Sequence, residues 1–452
     1  MKFNTPTSLV VIKDFAFTKC LSLTNISLPQ SLETICSFAF NECENLMKIT
    51  IPCNVKFIGA CAFYKCYSLA EVSFEKNSSL EYIGSLAFGW CSSLEDISLP
   101  SSLKKIGKNI FNNDKYIKVK FETKDVYYVE IKSNEFYYLF DTLNEIIASS
   151  SAESIKYKAF HNIETLKKVT FESQSKIKIV RDFAFSGCIS LTEITLPCLV
   201  QLIGNQCFDK CSSLKKVDIQ STNIQSIKNY VFNECESLEQ ITIPSSIRKI
   251  GNYAFNKCIS LTKVIFQDPT SLISLKAFVF NDCSSLVDIT LPSSLTSIGN
   301  YAFSGCISIK KIEIPLSVKK IGDCVFYKCS SLEQVIILSE IKQINNCVFC
   351  RRSSLKNINI PDSVSVVCSS AFANCLSLEQ LTLPKNLVKI GNGAFCSCSS
   401  LKQIELPSSL KEIGKNVFIN CLSLTQIVIH SPINLINNTF NSNVIIINTF
   451  IH

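Results

Sequence analysis

The phrase "IGNYAF" stands at residues 250–255 and again at residues 298–303, and an Ala-Phe or similar pair returns along the whole chain. Marked by its Phe (Phe17, Phe40, Phe63, Phe88, Phe111, then Phe160 onward to Phe440), the spacing is mostly 23 residues, with steps of 22, 24 and 25 and one gap of 49. A period of 20–30 residues held over an entire chain points to a solenoid of stacked coils. Each coil is too small to bury its own apolar face, so neighbours share one continuous core. This constraint overrides the three compact domains that 452 residues would otherwise suggest.

Aligned on the Phe, the coils read L-x-x-I-x-L-P-x-x-L-x-x-I-G-x-x-A-F-x-x-C. The segment L-x-x-I-x-L (Leu94, Ile97, Leu99; Leu191, Ile194, Leu196) ends with period two, which suits a short strand with one buried face. Pro follows it in ten repeats, among them Pro52, Pro100, Pro244 and Pro407. Lacking an N–H, Pro cannot extend a ladder, so it ends the strand and begins a turn. Gly recurs four residues before the Phe, as at Gly59, Gly107 and Gly251, where it suits a corner needing positive φ or close approach between coils. Ala and Phe then place one small and one large side chain in the core. A lone coil of 23 residues loses more backbone entropy than burial of its about seven apolar side chains offsets, so stacking is obligatory.

Composition narrows the function classes. A chain 47% hydrophobic and 18% charged folds. The N-terminal apolar run, Leu9 to Ile12, is shorter than a signal peptide requires, and no stretch approaches a membrane helix. The expectation is a cytoplasmic protein with no membrane insertion, the alternative being display at the cell surface by an unrecognised route. In that setting the 24 cysteines are read as reduced thiols.

Repeats such as "CESLEQITIPSSIRKIGNYAFNKC" resemble the BspA-like branch of leucine-rich repeats, known from bacterial and protist surface and adhesion-type proteins. The likeness covers nearly the whole chain through strand, Pro, IG corner, AF pair and Cys. It implies a leucine-rich-repeat solenoid of about 18 coils, right-handed, with a parallel β-sheet on the concave face and short turns or strands on the convex side. It also implies protein binding or adhesion as a role. The export signal or anchor usual in surface members is not seen. The whole of residues 1–452 reads as one such solenoid, with residues 112–159 as degenerate repeats or a small island within it.

Fourteen cysteines sit three residues after the marker Phe, from Cys20 and Cys43 to Cys398 and Cys421. Cys is a small, commonly buried residue, and core packing is the reading preferred over metal or disulfide chemistry. Zinc calls for paired C-x2-C units, which Cys396 and Cys398 do not supply. Arg352 and Asp114 take the same slot, so those coils should be locally irregular.

The exposed positions of the strand hold ten lysines against eleven acids, so the net charge of +8 lies elsewhere, much of it after the Pro turn. A nucleic-acid groove needs a basic stripe with interleaved aromatics, and this face has neither. A mixed polar sheet suits a protein partner or simply a solvated surface. Its candidate protein-binding residues are Lys167, Lys168, Glu193, Lys215, Lys216, Glu239, Lys263, Asp288, Lys310, Lys311 and Glu333. The 49-residue gap adds Tyr127, Tyr128, Tyr137 and Tyr138, a candidate aromatic anchor.

There is no Gly-rich phosphate loop, H-E-x-x-H or G-x-S-x-G, so no enzyme, catalytic residue, cofactor or metal is expected. The favoured expectation is a non-enzymatic protein–protein interaction scaffold that binds through the concave sheet or residues 112–159. An adhesin binding extracellular protein or glycan is the alternative. A self-associating structural protein, joined end to end, is the third reading.

Overall fold

The computed structural model of the chain describes residues 8–107, 110–111, 117–121, 125–126, 143–433 and 443–449. It forms two compact units, Met1–Ser221 and Thr222–His452, each a stack of parallel β-coils. Most coils carry a four-residue strand, and in many of these the side chains alternate outward and inward. Lys48–Ile51, Asp96–Leu99 and Glu193–Leu196 show this in the first unit, Lys311–Ile314 and Gln403–Leu406 in the second. These strands pair in parallel with the repeat in register: Lys48 lies opposite Glu71, and Glu193 opposite Lys216.

Pro then turns the chain, and its carbonyl accepts the N–H three residues on, at 3.1 Å from Val55 to Pro52 and from Ile247 to Pro244. A two-residue strand follows. Thr34–Ile35, Phe57–Ile58 and Tyr82–Ile83 pair in a second parallel ladder, as Lys249–Ile250 does with Ser274–Leu275 in the other unit.

The corner glycine serves close approach. Gly59 does not adopt positive φ, and a Cβ there would sit 2.4 Å from the Ser37 amide nitrogen of the preceding coil. The left-handed residues instead flank the core Phe two positions before and two after it: Phe38 and Glu42 at φ 59° and 57°, Tyr253 and Lys257 at 57° and 56°. That region costs an L-residue about 1–2 kcal/mol. The cost is offset by a third ladder, because these residues turn their amides onto the next coil. Phe38 donates to Ala60 at 2.9 Å, Phe40 to Ala62 at 2.7 Å and Glu42 to Tyr64 at 2.8 Å.

The core Phe rings stack coil upon coil in both units, for example Phe40 on Phe63 at 5.2 Å and 3°, and Phe280 on Phe303 at 5.5 Å and 16°. The separations fall in the range favoured by offset stacking. Through the 49-residue gap, Ile117–Phe121 pairs with Asp96–Leu99 on one side and Leu143–Ala148 on the other. Leu143–Ala148 pairs in turn with Lys168–Phe171. Tyr127, Tyr128, Tyr137 and Tyr138 lie outside the described residues, as does Asp114. Among the described residues, no helix is long and apolar enough to cross a membrane.

Candidate interaction surface

The four-residue strands present the residues that the repeat leaves free to vary. Lys167, Lys168, Glu193, Lys215 and Lys216 are all exposed on the first unit, and parallel register stacks three of them into one column. Glu145, Lys168, Glu193 and Lys216 follow one another across successive strands, alternating in sign. Lys168 meets Glu145 at 3.5 Å, and Lys118 meets the same carboxylate at 4.0 Å.

On the second unit Glu239, Lys263, Asp288, Lys310, Lys311 and Glu333 are likewise exposed. Lys263 sits opposite Asp288 in the ladder, and the Glu333 amide donates to the Lys310 carbonyl at 2.9 Å. Further along the same face Lys402 pairs with Glu379 at 3.4 Å. Exposed pairs of this kind contribute little stability, about 0–1 kcal/mol each. Their sign alternation does, however, remove like-charge repulsion between coils only about 4.8 Å apart.

On the turns away from this face, polar groups form repeating columns that sequence reading passed over. The second Ser of the turn donates its hydroxyl to the preceding coil, Ser246 to the Ile224 carbonyl and Ser294 to that of Leu272, at 2.8 and 2.7 Å. The residue after the corner glycine accepts from the next coil: Asn300 Oδ1 takes the Asp323 amide at 3.0 Å, and Asp323 Oδ1 takes that of Asn346 at 3.1 Å. The recurring "PSS" and "IGN" were the signals.

The cysteine column is part of the core. All 24 cysteines are free thiols, and those three residues after the Phe are nearly all buried. In twelve of them the Sγ points at the carbonyl of the Phe one coil earlier, at 3.0 Å from Cys43 to Phe17 and 3.1 Å from Cys306 to Phe280. Burial pushes the Cys43 thiol up to about 11 and that of Cys91 up to about 12. A different grouping appears at Cys324, Cys347 and Cys350, three thiols on two adjacent coils that interact electrostatically. Its signal in the sequence was the Cys347-Val348-Phe349-Cys350 spacing.

Among the described residues no group of three or more His, Cys, Asp or Glu is arranged to hold a metal ion. An open depression of 590 Å³ at residues 19–25 holds one lysine and no acid or histidine. Half-buried His161 turns Nδ1 to the Ser186 carbonyl at 3.1 Å.

The family model for the BspA type leucine rich repeat region, in 6 copies, matches residues 1–125, 129–262, 203–333, 248–375 and 320–448. Among solved structures, a leucine-rich repeat protein from Bacteroides ovatus is 24% identical, with 94% of this chain and 88% of that one covered and a TM-score of 0.51. The pneumococcal vaccine antigen PcpA is 22% identical, with 79% and 89% covered and a TM-score of 0.52. At these identities the likeness concerns the fold. No curated protein matches the chain.

Proposed function

Because the chain belongs to the BspA type leucine-rich repeat family, we propose that it is a non-enzymatic scaffold that binds another protein through the exposed face of its four-residue strands. One contrast carries this reading. Inward positions repeat nearly unchanged from coil to coil, whereas outward positions change identity and charge on a backbone that holds them in register. A rigid surface of this kind loses little side-chain or backbone freedom on association. Residues 112–159 are the second candidate contact region.

The test is capture of a protein partner by the Lys215→Glu, Lys216→Glu variant. Both side chains are exposed, so the fold should persist while capture falls about tenfold or more. Undiminished capture by the folded variant would exclude this part of the face.

A specific observation supports self-association as a second reading. The strand Ile445–Asn448 pairs with Gln426–Ile429 on one side, yet leaves Ile445, Ile446 and Ile447 exposed at 64%, 47% and 39%. An apolar edge strand is a template for further pairing. Ile446→Lys should shift the protein toward monomer in sedimentation velocity. If the wild type is monomeric throughout the concentration range, this reading fails.

A further inference from the structure

One corner of the Thr222–His452 unit departs from the pattern of the repeat. The residue two before the core Phe is aromatic in four successive coils. There Tyr230, Tyr253, Phe278 and Tyr301 stack with ring centroids 4.5–4.7 Å apart and planes 5° from parallel. In the next two coils the same position is Cys324 and then Cys347. Both keep the same left-handed backbone, φ 55° and 54° against 57–58° for the rings. The two thiols thus stand at equivalent positions of adjacent coils, whose core rings Phe326 and Phe349 are 6.1 Å apart.

The Cys324 amide donates to the Asn346 carbonyl at 2.9 Å, which sets Cys324 beside Cys347 of the next coil, and the Tyr301, Cys324, Cys347 and Cys350 side chains interact electrostatically. The Cys350 amide donates to the Cys347 carbonyl at 3.1 Å, which folds these two residues onto one turn. Cys324 is 8% exposed and Cys347 half-buried, whereas Cys306 and Cys329 of the core column are 0% exposed and committed to Phe carbonyls.

We propose that Cys324 and Cys347 form a thiol–disulfide exchange site, bridged to each other across adjacent coils by reaction with a small-molecule disulfide. Equivalent Cα atoms at the coil spacing of about 4.8 Å lie within the span of a disulfide. An approach of a few tenths of an ångström brings the Cβ atoms into the bonded range, about 3.5–4.5 Å. The Cys347 thiolate attacks one sulfur of oxidised glutathione, forming a mixed disulfide and releasing one glutathione thiolate. Cys324 loses its proton and attacks the Cys347 sulfur, releasing the second glutathione. Two protein thiols and one disulfide become one protein disulfide and two glutathione thiols. Cys350 packs against the pair from the core side and is not bridged. The bridge fastens two coils to each other at a half-buried corner.

The experiment uses the full chain, reduced, freed of reductant and treated with oxidised glutathione, then alkylated and peptide-mapped by mass spectrometry. The expected product links Cys324 to Cys347, while exposed Cys198 carries only a glutathione adduct and the core column is recovered free. Native alkylation of Cys347 should fall about tenfold on oxidation and recover with dithiothreitol. Cys350→Ser should leave the link intact, and Cys324→Ser should leave Cys347 as its glutathione adduct. Recovery of Cys324 and Cys347 free or as separate adducts in the wild type, or a Cys347–Cys350 link, overturns the proposal. The wild-type map decides the question even where a variant folds poorly.

Discussion

Arg352 occupies the slot that the repeat reserves for Cys. It is fully buried, and its Nε, Nη1 and Nη2 have no hydrogen-bond partner. Its guanidinium lies 4.5 Å from the Phe349 ring centroid and 5.1 Å from that of Phe326, a cation–π contact that offsets part of the lost hydration. Burial lowers its pKa to about 10, so the group stays charged at neutral pH. The local irregularity expected from the sequence is present, since the following strand region is reduced to a single bridge between Asn359 and Thr382. A buried charge without an ionic partner costs several kcal/mol, and Cys fits this slot in twelve of the hydrogen-bonded coils around it. Arg352→Cys should therefore stabilise the protein by roughly 2–5 kcal/mol. Hydrogen exchange of the Phe349 and Phe372 amides should slow accordingly, and unchanged or faster exchange would show that the cation is already compensated.

At the scale of the element, the turn between the short strand and the Phe decides how tightly coils stack. Gly84 shows why a side chain is excluded: its Cβ would lie 2.3 Å from the Ala60 nitrogen and 2.4 Å from the Gly59 carbonyl carbon. Both are backbone atoms and cannot swing aside. Gly84→Ala should force the coils apart locally and cost about 1–3 kcal/mol or more, seen as a lower urea midpoint of Trp90 fluorescence. A midpoint equal to the wild type would mean that the coils move apart freely. The sequence offered two reasons for this glycine, positive φ and close approach, and its period alone could not choose between them. The choice depends on where the neighbouring coil's backbone lies.

At the scale of the molecule, stability comes from nearest-neighbour contacts between coils, and such arrays unfold progressively. The chain has one tryptophan, Trp90, which lies in the first unit, whereas far-UV circular dichroism reports every coil. Urea transitions followed by the two signals should not coincide. Superimposable curves would indicate a single cooperative transition and would contradict the nearest-neighbour account.

The period, the alternation and the Pro stop were legible in the residues because each reflects a local rule: side-chain direction in a strand, a missing N–H, a coil too small to stand alone. These determined the solenoid, the Phe stack and the outward set from Lys167 to Glu333. Other features depended on which residues the stacking brings together from positions 23 to 28 apart. The Asn300–Asp323–Asn346 chain, the thiol-to-carbonyl column, the unpaired guanidinium of Arg352 and the nearness of Cys324 to Cys347 all arise in this way. No single repeat contains such a contact, since its two partners belong to different coils, and only the register of one coil on the next creates it.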